Sequence, residues 1–374
     1  MKQPYRSLYI HVPFCQGGKC DYCAFESQGN STASEREAYL CHLEEEFQQY
    51  EGECEPLRSV FLGGGTPSAL SAEELSRLLA LVRRHFQLLP DCEWSCEANT
   101  DSLDSEKLAA LLSGGVNRLS LGVQAFDHTL RAAIGRRGSL ERLPALVSEA
   151  RAQGLASLNF DLIYCIPGET ASQWQEELRR ALALSPDHLS CYSLMVQEDT
   201  PLAKRLADRY QEDEELFLEC WHWNDRILGD AGLSRYEIAN FAREGKRCRH
   251  NWEIWHGQTY LGCGPAAVSF DGADRRANPP HLCEWLRNAP PQVDSLPESA
   301  RRREILAFGM RTVEGWGASE LLAATGLSLE DDVLTLPECR ALLQEGLLVW
   351  RDGRLSPTPE GLLLDDRVVG DLLA

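Results

Sequence analysis

The chain alternates between two kinds of hydrophobic pattern. Short, nearly continuous apolar runs such as SLYIHVPF and RSVFLGGG are each followed by a longer segment with apolar residues three and four positions apart. The first run is followed by SEREAYLCHLEEEFQQY, and the second by SAEELSRLLALVRRHF, where Ser71 and Glu74 form a capping-box pattern. EWSCEANT with DSEKLAALLSGG repeats the pair. VNRLSLGVQ follows, with helical segments to about Gln153. LASLNFDLIY with ETASQWQEELRRALAL, and HLSCYSLM with DEELFLECWHWNDRILGD, complete the series. Strands alternating with helices predict βαβ units and a parallel sheet. Six or so units predict an α/β fold of the partial (β/α) barrel type.

After about Gly232 the composition changes, which divides the chain into residues 1–232 and 233–374. NPPHLCEWLRNAPPQVDSLPE is rich in proline and reads as a connecting segment. Three helical patterns follow (ESARRREILAFGMRT, GASELLAATGL, LPECRALLQEG). LLVWRDGRLSPT then gives two apolar runs joined at Asp352-Gly353, a strong hairpin signal. This smaller α+β domain resembles a winged helix. With an acidic balance and no basic recognition helix, it reads as a structural or lid domain rather than a DNA reader.

Charge and length exclude several classes. The 374 residues carry a net charge of −20, which disfavours broad contact with phosphate backbones or anionic lipid. No apolar stretch is long enough to span a bilayer, and the N-terminus is too polar for a signal peptide. Neither a nucleic-acid partner nor stable membrane insertion is expected. A cytoplasmic location follows, where fourteen cysteines do not imply disulfides. Cys41, Cys54, Cys92, Cys96, Cys165, Cys191, Cys220, Cys263, Cys283 and Cys339 are expected to be buried small apolar residues.

Cys15, Cys20 and Cys23 are different, because they crowd into HVPFCQGGKCDYCAF directly after the first strand. A zinc site could be completed by His11 or a distant residue. A [4Fe–4S] cluster held by three thiolates would leave one iron open. An open iron can take the amino and carboxylate groups of S-adenosylmethionine, whose one-electron cleavage gives a 5′-deoxyadenosyl radical. Tyr22, between the last two cysteines, could shield such a cluster. Elsewhere, polar residues fall at strand ends. Gly63 to Pro67 end the second strand, Glu97 the third and Gln124 the fourth; Asp161 lies in the fifth and Tyr192 in the sixth. In barrels of parallel strands chemistry collects at that rim, so these residues predict one ligand-binding mouth.

These stretches resemble the radical-SAM proteins related to oxygen-independent coproporphyrinogen III oxidase, and among them the HemW-type haem chaperones. The likeness runs through SLYIHVPFC, FLGGGTPS, EANT, GVNRLSLGVQAF, NFDLIYCIPGET, HLSCYSLMVQEDT, YEIANFA, CRHNWEIW and YLGCGPAAVSF. It implies that Cys15, Cys20 and Cys23 hold a [4Fe–4S] cluster. It also implies that Tyr9, Gly64, Gly65, Thr66, Glu97, Gln124, Arg136 and Asp161 line an S-adenosylmethionine site. Arg136 would bond a carboxylate, with Arg137 as a neighbouring competitor.

Three departures from the family pattern stand out. Four residues, Gln16 to Lys19, separate the first two cysteines where the family has three; the Gly17-Gly18 pair is expected to let the loop bulge outward. Ala24 stands where the oxidases carry another cysteine, and only fourteen residues precede Cys15; both features point to the chaperone branch. Finally, the family stretch HNxxYW appears as His250 to Trp255 with Ile254 in place of the tyrosine. This segment is either a haem-handling element, with His250 as iron ligand, or an aromatic patch packing the second domain on the barrel.

Two functions of different class follow from the resemblance. One is a haem chaperone that carries haem to a recipient haemoprotein, with an electron donor serving the cluster. The other is an oxidase that decarboxylates two propionates of coproporphyrinogen III to vinyl groups. The chaperone, without the oxidase activity, is the expectation.

Overall fold

The computed structural model describes residues 2–207 and 213–374. Six parallel strands lie side by side in chain order: Tyr5–Val12, Cys54–Gly64, Leu88–Asn99, Arg118–Gln124, Ser157–Tyr164 and His188–Ser193. Helices between them cover the outer face. The fourth and fifth strands are buried almost throughout, as parallel strands wrapped by helices must be. Capping boxes start three of the helices, at Thr32 with Glu35, Ser71 with Glu74, and Thr170 with Gln173. Helix 72–85 turns Leu75, Leu78, Leu79 and Val82 inward. Truncating one such leucine to alanine would cost about 2–5 kcal/mol. Trp174, fully buried, donates from Nε1 to Asn224 Oδ1 at 2.9 Å and so ties helix 171–183 to helix 214–230.

The composition change after Gly232 falls inside the main sheet. Residues 233–295 extend both of its edges and bring it to twelve strands. Tyr260–Cys263 adds parallel to the first strand and continues into an antiparallel run of Val268–Phe270, Asp274–Ala277 and Gln292–Ser295. Asn240–Ala242 adds antiparallel to the sixth strand. The proline-rich segment is therefore more than a connector. It contributes the last edge strand and a turn of helix, Leu282–Trp285, whose Trp285 packs edge-on against His42 with ring centroids 4.4 Å apart.

Beyond residue 295, helices Glu298–Gly309, Ala318–Thr325 and Pro337–Gln344 surround a separate core of Leu306, Met310, Trp316, Leu321, Leu342 and Leu355. The hairpin Leu348–Arg351 and Arg354–Pro357 turns through Asp352 and Gly353, both at positive φ (52° and 73°), which Asp-Gly tolerates. Among the described residues no helix is long and apolar enough to cross a membrane. The cysteines are less uniformly buried than their composition implied. Cys41 lies on the outer face of helix 33–49, where Arg77 reaches its sulfur, and Cys283 is also exposed. Cys54 and Cys165 are half-buried.

Candidate functional site

The first strand ends at Val12, and the two residues Phe14–Cys15 pair with Gln28–Gly29. That pairing pins both ends of the cysteine loop. Gly17 and Gly18 take φ values of 75° and 102°, a region open to glycine. Arg137 Nη1 donates to the Gly17 carbonyl at 3.1 Å and braces the loop from outside. Opposite it, Leu202 N–H donates to the Asp21 carbonyl (2.9 Å) and Arg205 pairs with the Asp21 carboxylate (2.5 Å). The loop thus turns Cys15, Cys20 and Cys23 into one cavity of about 360 Å³, with Tyr22 beside them.

Gly64, Gly65, Thr66, Glu97, Gln124, Arg136 and Asp161 line the same cavity. Gly64 has φ of 103°, and a Cβ there would sit 2.8 Å from the His11 ring, so no other residue lets the second strand turn this tightly against the first. Gln124 also has positive φ, at 70°, where the register between the fourth and fifth strands shifts. This irregularity aims its side chain into the cavity. Arg136 Nη2 donates to Asn99 Oδ1 (2.7 Å) and to the Gly122 carbonyl (2.5 Å), while its Nη1 lies 3.4 Å from Cys20 Sγ. Asn99 Nδ2 in turn donates to Thr66 Oγ1 at 3.1 Å. One polar chain therefore joins the glycine turn to the cysteine loop. Its central member, Asn99, has no role in the motif-based set, although it lies in EANT two residues after Glu97 and so faces the same way.

Among the described residues no three His, Cys, Asp or Glu side chains are already drawn together around one point. His11 is held elsewhere, its Nε2 2.8 Å from the Glu26 carbonyl. Thiolates that bind separate irons of a cluster need only face one cavity, which is what the three cysteines do. Arg136 Nε is buried without a partner among the described residues, a donor held ready for an acidic ligand group.

Behind this cavity lies a second chamber of about 530 Å³. Phe25, Glu97, Ser120, Asp161 and Tyr192 border both. Burial first, and then the neighbouring Asp161, push the Glu97 carboxyl up to about 8. Burial also raises the Asp161 carboxyl, although it accepts from Ser120 Oγ (2.9 Å) and Asn159 Nδ2 (2.8 Å). The partition therefore carries less negative charge at neutral pH than two free carboxylates would.

Tyr9 faces this rear chamber rather than the front cavity. Its hydroxyl lies 3.3 Å from His11 Nδ1. His250 is there too, stacked on Phe61 at 5.2 Å between ring centroids, with Ser59 Oγ 2.9 Å from its Nδ1. Burial and then the nearby Arg118 charge lower the His250 pKa to about 3, so its imidazole is neutral. The aromatic segment divides its duties by residue. His250, Asn251 and Ile254 line the chamber, whereas Trp252 stacks on His256 at 4.0 Å and Trp255 meets Phe308 edge-on at 6.3 Å.

Comparisons with known proteins agree with this geometry. Residues 9–181 match the Radical SAM superfamily, and residues 296–364 match the HemN C-terminal domain. The heme chaperone HemW of Mycobacterium tuberculosis is 34% identical over 99% of this chain and 95% of its own length. HemW of Bacillus subtilis is 31% identical, covering 98% of this chain and 99% of its own. The crystal structure of HemN, the radical SAM coproporphyrinogen III oxidase of Escherichia coli, superposes with a TM-score of 0.86 at 24% identity, covering 99% of this chain and 90% of that one; it shares the fold. Given two relatives above 30% identity along nearly its whole length, the chain belongs to the HemW family within the radical SAM superfamily.

Proposed function

We propose that the protein is a haem chaperone. In this reading the front cavity holds a [4Fe–4S] cluster on Cys15, Cys20 and Cys23, with S-adenosylmethionine beside it, and the rear chamber receives haem as cargo for a recipient haemoprotein. The observation that carries it is the pairing of two compartments across one carboxylate partition, one lined by thiols and the other by aromatic rings. When bound, the cluster and its nucleoside would supply one-electron chemistry, drawing on an electron donor. The protein's own groups bind and orient. Gly64, Gly65 and Thr66 bring backbone close to the ligand, Arg136 presents its free Nε to a carboxylate, and Gln124 reaches in from the strand end. Glu97 and Asp161 are placed to hold hydroxyl groups, the first as donor as well as acceptor in its protonated form.

His250 is the proposed iron ligand. Its neutral imidazole has Nδ1 engaged by Ser59, which leaves Nε2 for a metal. Phe25, 68% exposed and bordering both compartments, gives the chamber an apolar edge suited to a flat macrocycle. Residues 1–232 would then supply the cofactor site, and the start of 233–374, from Asn240 to Val268, one wall of the chamber, in a reducing cytoplasm that keeps the thiols available. Ala24 lines the rear chamber where the oxidases carry a thiol, so oxidase activity is not part of this reading.

The test is haem titration of anaerobically reconstituted protein, together with incubation on coproporphyrinogen III, reductant and S-adenosylmethionine. Haem should bind, His250→Ala should weaken it, and the porphyrinogen should remain unconverted. Multiple turnovers, with 5′-deoxyadenosine released in proportion, would overturn the chaperone reading.

A further inference from the structure

The inward face of the fourth strand runs Gln124, Gly122, Ser120, Arg118. Its upper members serve the front cavity. Arg118, at the lower end, lines the rear chamber and has no role in the proposals above. The residue is only 3% exposed, and its Nε has no hydrogen-bond partner among the described residues. The negative groups nearest to it are committed elsewhere. Glu93 accepts from the backbone N–H groups of Arg249 (2.9 Å) and His250 (3.1 Å), and Asp161 accepts from Ser120 and Asn159. These carboxylates act on Arg118 through space, without a contact. A buried guanidinium without a carboxylate in contact is costly to keep, so an arginine at this position calls for a partner that the described residues do not supply.

Three features define that partner. A guanidinium presents a planar fork that matches a carboxylate with two parallel hydrogen bonds. Glu97 and Asp161 border the same chamber, which favours a singly charged carboxylate over a phosphate. Tyr9, Phe61 and His250 form an aromatic wall, with ring centroids 5.2–6.4 Å apart, so the body carrying the carboxylate is flat and apolar. A chamber of about 530 Å³ is of the size that takes whole cofactors rather than a side chain.

We propose that Arg118 anchors a carboxylate of a tetrapyrrole, one of its propionate arms, in the rear chamber. This rests on the haem-binding reading above and adds the polar end of the ligand to it. Arg118 fixes the macrocycle by its acidic edge, while the apolar lining of the chamber packs against its body.

The experiment compares a free-acid tetrapyrrole with its dimethyl ester, which keeps the ring and removes both charges. Each is titrated into anaerobically reconstituted full-length protein, as wild type, Arg118→Lys and Arg118→Met. Wild type should prefer the free acid by about 10- to 100-fold, the range of one charge-assisted bidentate contact. Arg118→Lys should keep a reduced preference, and Arg118→Met should bind acid and ester alike, with ester affinity unchanged throughout. Circular dichroism and cluster absorbance confirm that each variant is folded.

Equal affinity for acid and ester in the wild type overturns the proposal and leaves haem binding intact. So does a preference that survives in Arg118→Met. If neither ligand binds wild type, the haem reading falls, and the assignment of a tetrapyrrole carboxylate falls with it. If Arg118→Met instead loses only an additional equivalent of S-adenosylmethionine, the arginine serves an aminoacyl carboxylate and the proposal is wrong.

Discussion

The front cavity and the rear chamber share a wall but are built in opposite ways. The front is assembled at strand ends, from loops whose residues are neighbours in sequence: three cysteines within nine positions, and a Gly-Gly-Thr turn. The rear is assembled from inward positions further down the strands. Arg118, Asn159 and Tyr9 meet a helix from residues 249–255 that arrives about 90 to 240 residues later in the chain. The front therefore owes its chemistry to local backbone geometry, with positive φ at Gly64 and Gln124. The rear owes it to register, because shifting a strand by one residue would turn Arg118 out of the chamber.

If the two compartments are separable, variants should affect one without the other. Cys20→Ala should have the largest effect, abolishing the broad absorbance of the reconstituted cluster while haem affinity stays within about twofold, since thiolate ligation has no substitute. Asn99→Ala breaks the link from Thr66 to Arg136 and should weaken S-adenosylmethionine binding by about tenfold, the cost of losing one charged hydrogen bond and leaving its partners unpaired. Calorimetric titration should show it, with cluster content and haem binding unchanged.

Glu97 belongs to both compartments, and its effect should appear in pH dependence. Its carboxyl holds a proton more tightly folded, at about 8, than unfolded, near 4.5, so this group makes stability fall as pH rises across that window. Glu97→Gln should make the fall between pH 6 and 8.5 shallower by about 2.5 kcal/mol in denaturant titrations. A slope identical to wild type would show that Glu97 does not hold its proton in the folded protein. The smallest effect should come from deleting Gly17. This restores the shorter spacing and removes a residue held by one exposed contact to Arg137, so cluster content should stay close to wild type. A several-fold rise would mean that the native loop is impaired, and loss of the cluster would mean that the fold depends on the longer spacing.

The same contrast explains what could be read in the sequence. Six strand–helix pairs were legible because period-two and period-3.6 patterns are local, and so were the cysteine triplet and the residues at strand ends. Asn99 was within reach, since it shares the parity of Glu97 on one strand. Arg118 was not, because an arginine inside an apolar strand shows neither its burial nor its missing partner until neighbouring strands are in register. The edge strands after Gly232 were obscured for a related reason. They are short, and their pairing with the first and sixth strands is set by contacts across some 250 and 50 residues of chain respectively, which no window along the sequence contains.

A three-thiolate cluster with an open iron in the front cavity should behave independently of the chamber behind it. Electron paramagnetic resonance of the reduced, anaerobically reconstituted protein tests this, recorded with and without S-adenosylmethionine in wild type and in His250→Ala. The expected result is a cluster signal that S-adenosylmethionine shifts equally in both proteins, because His250 lies outside the front cavity. A signal that S-adenosylmethionine leaves unchanged, or stoichiometric zinc with no iron incorporated, would contradict it.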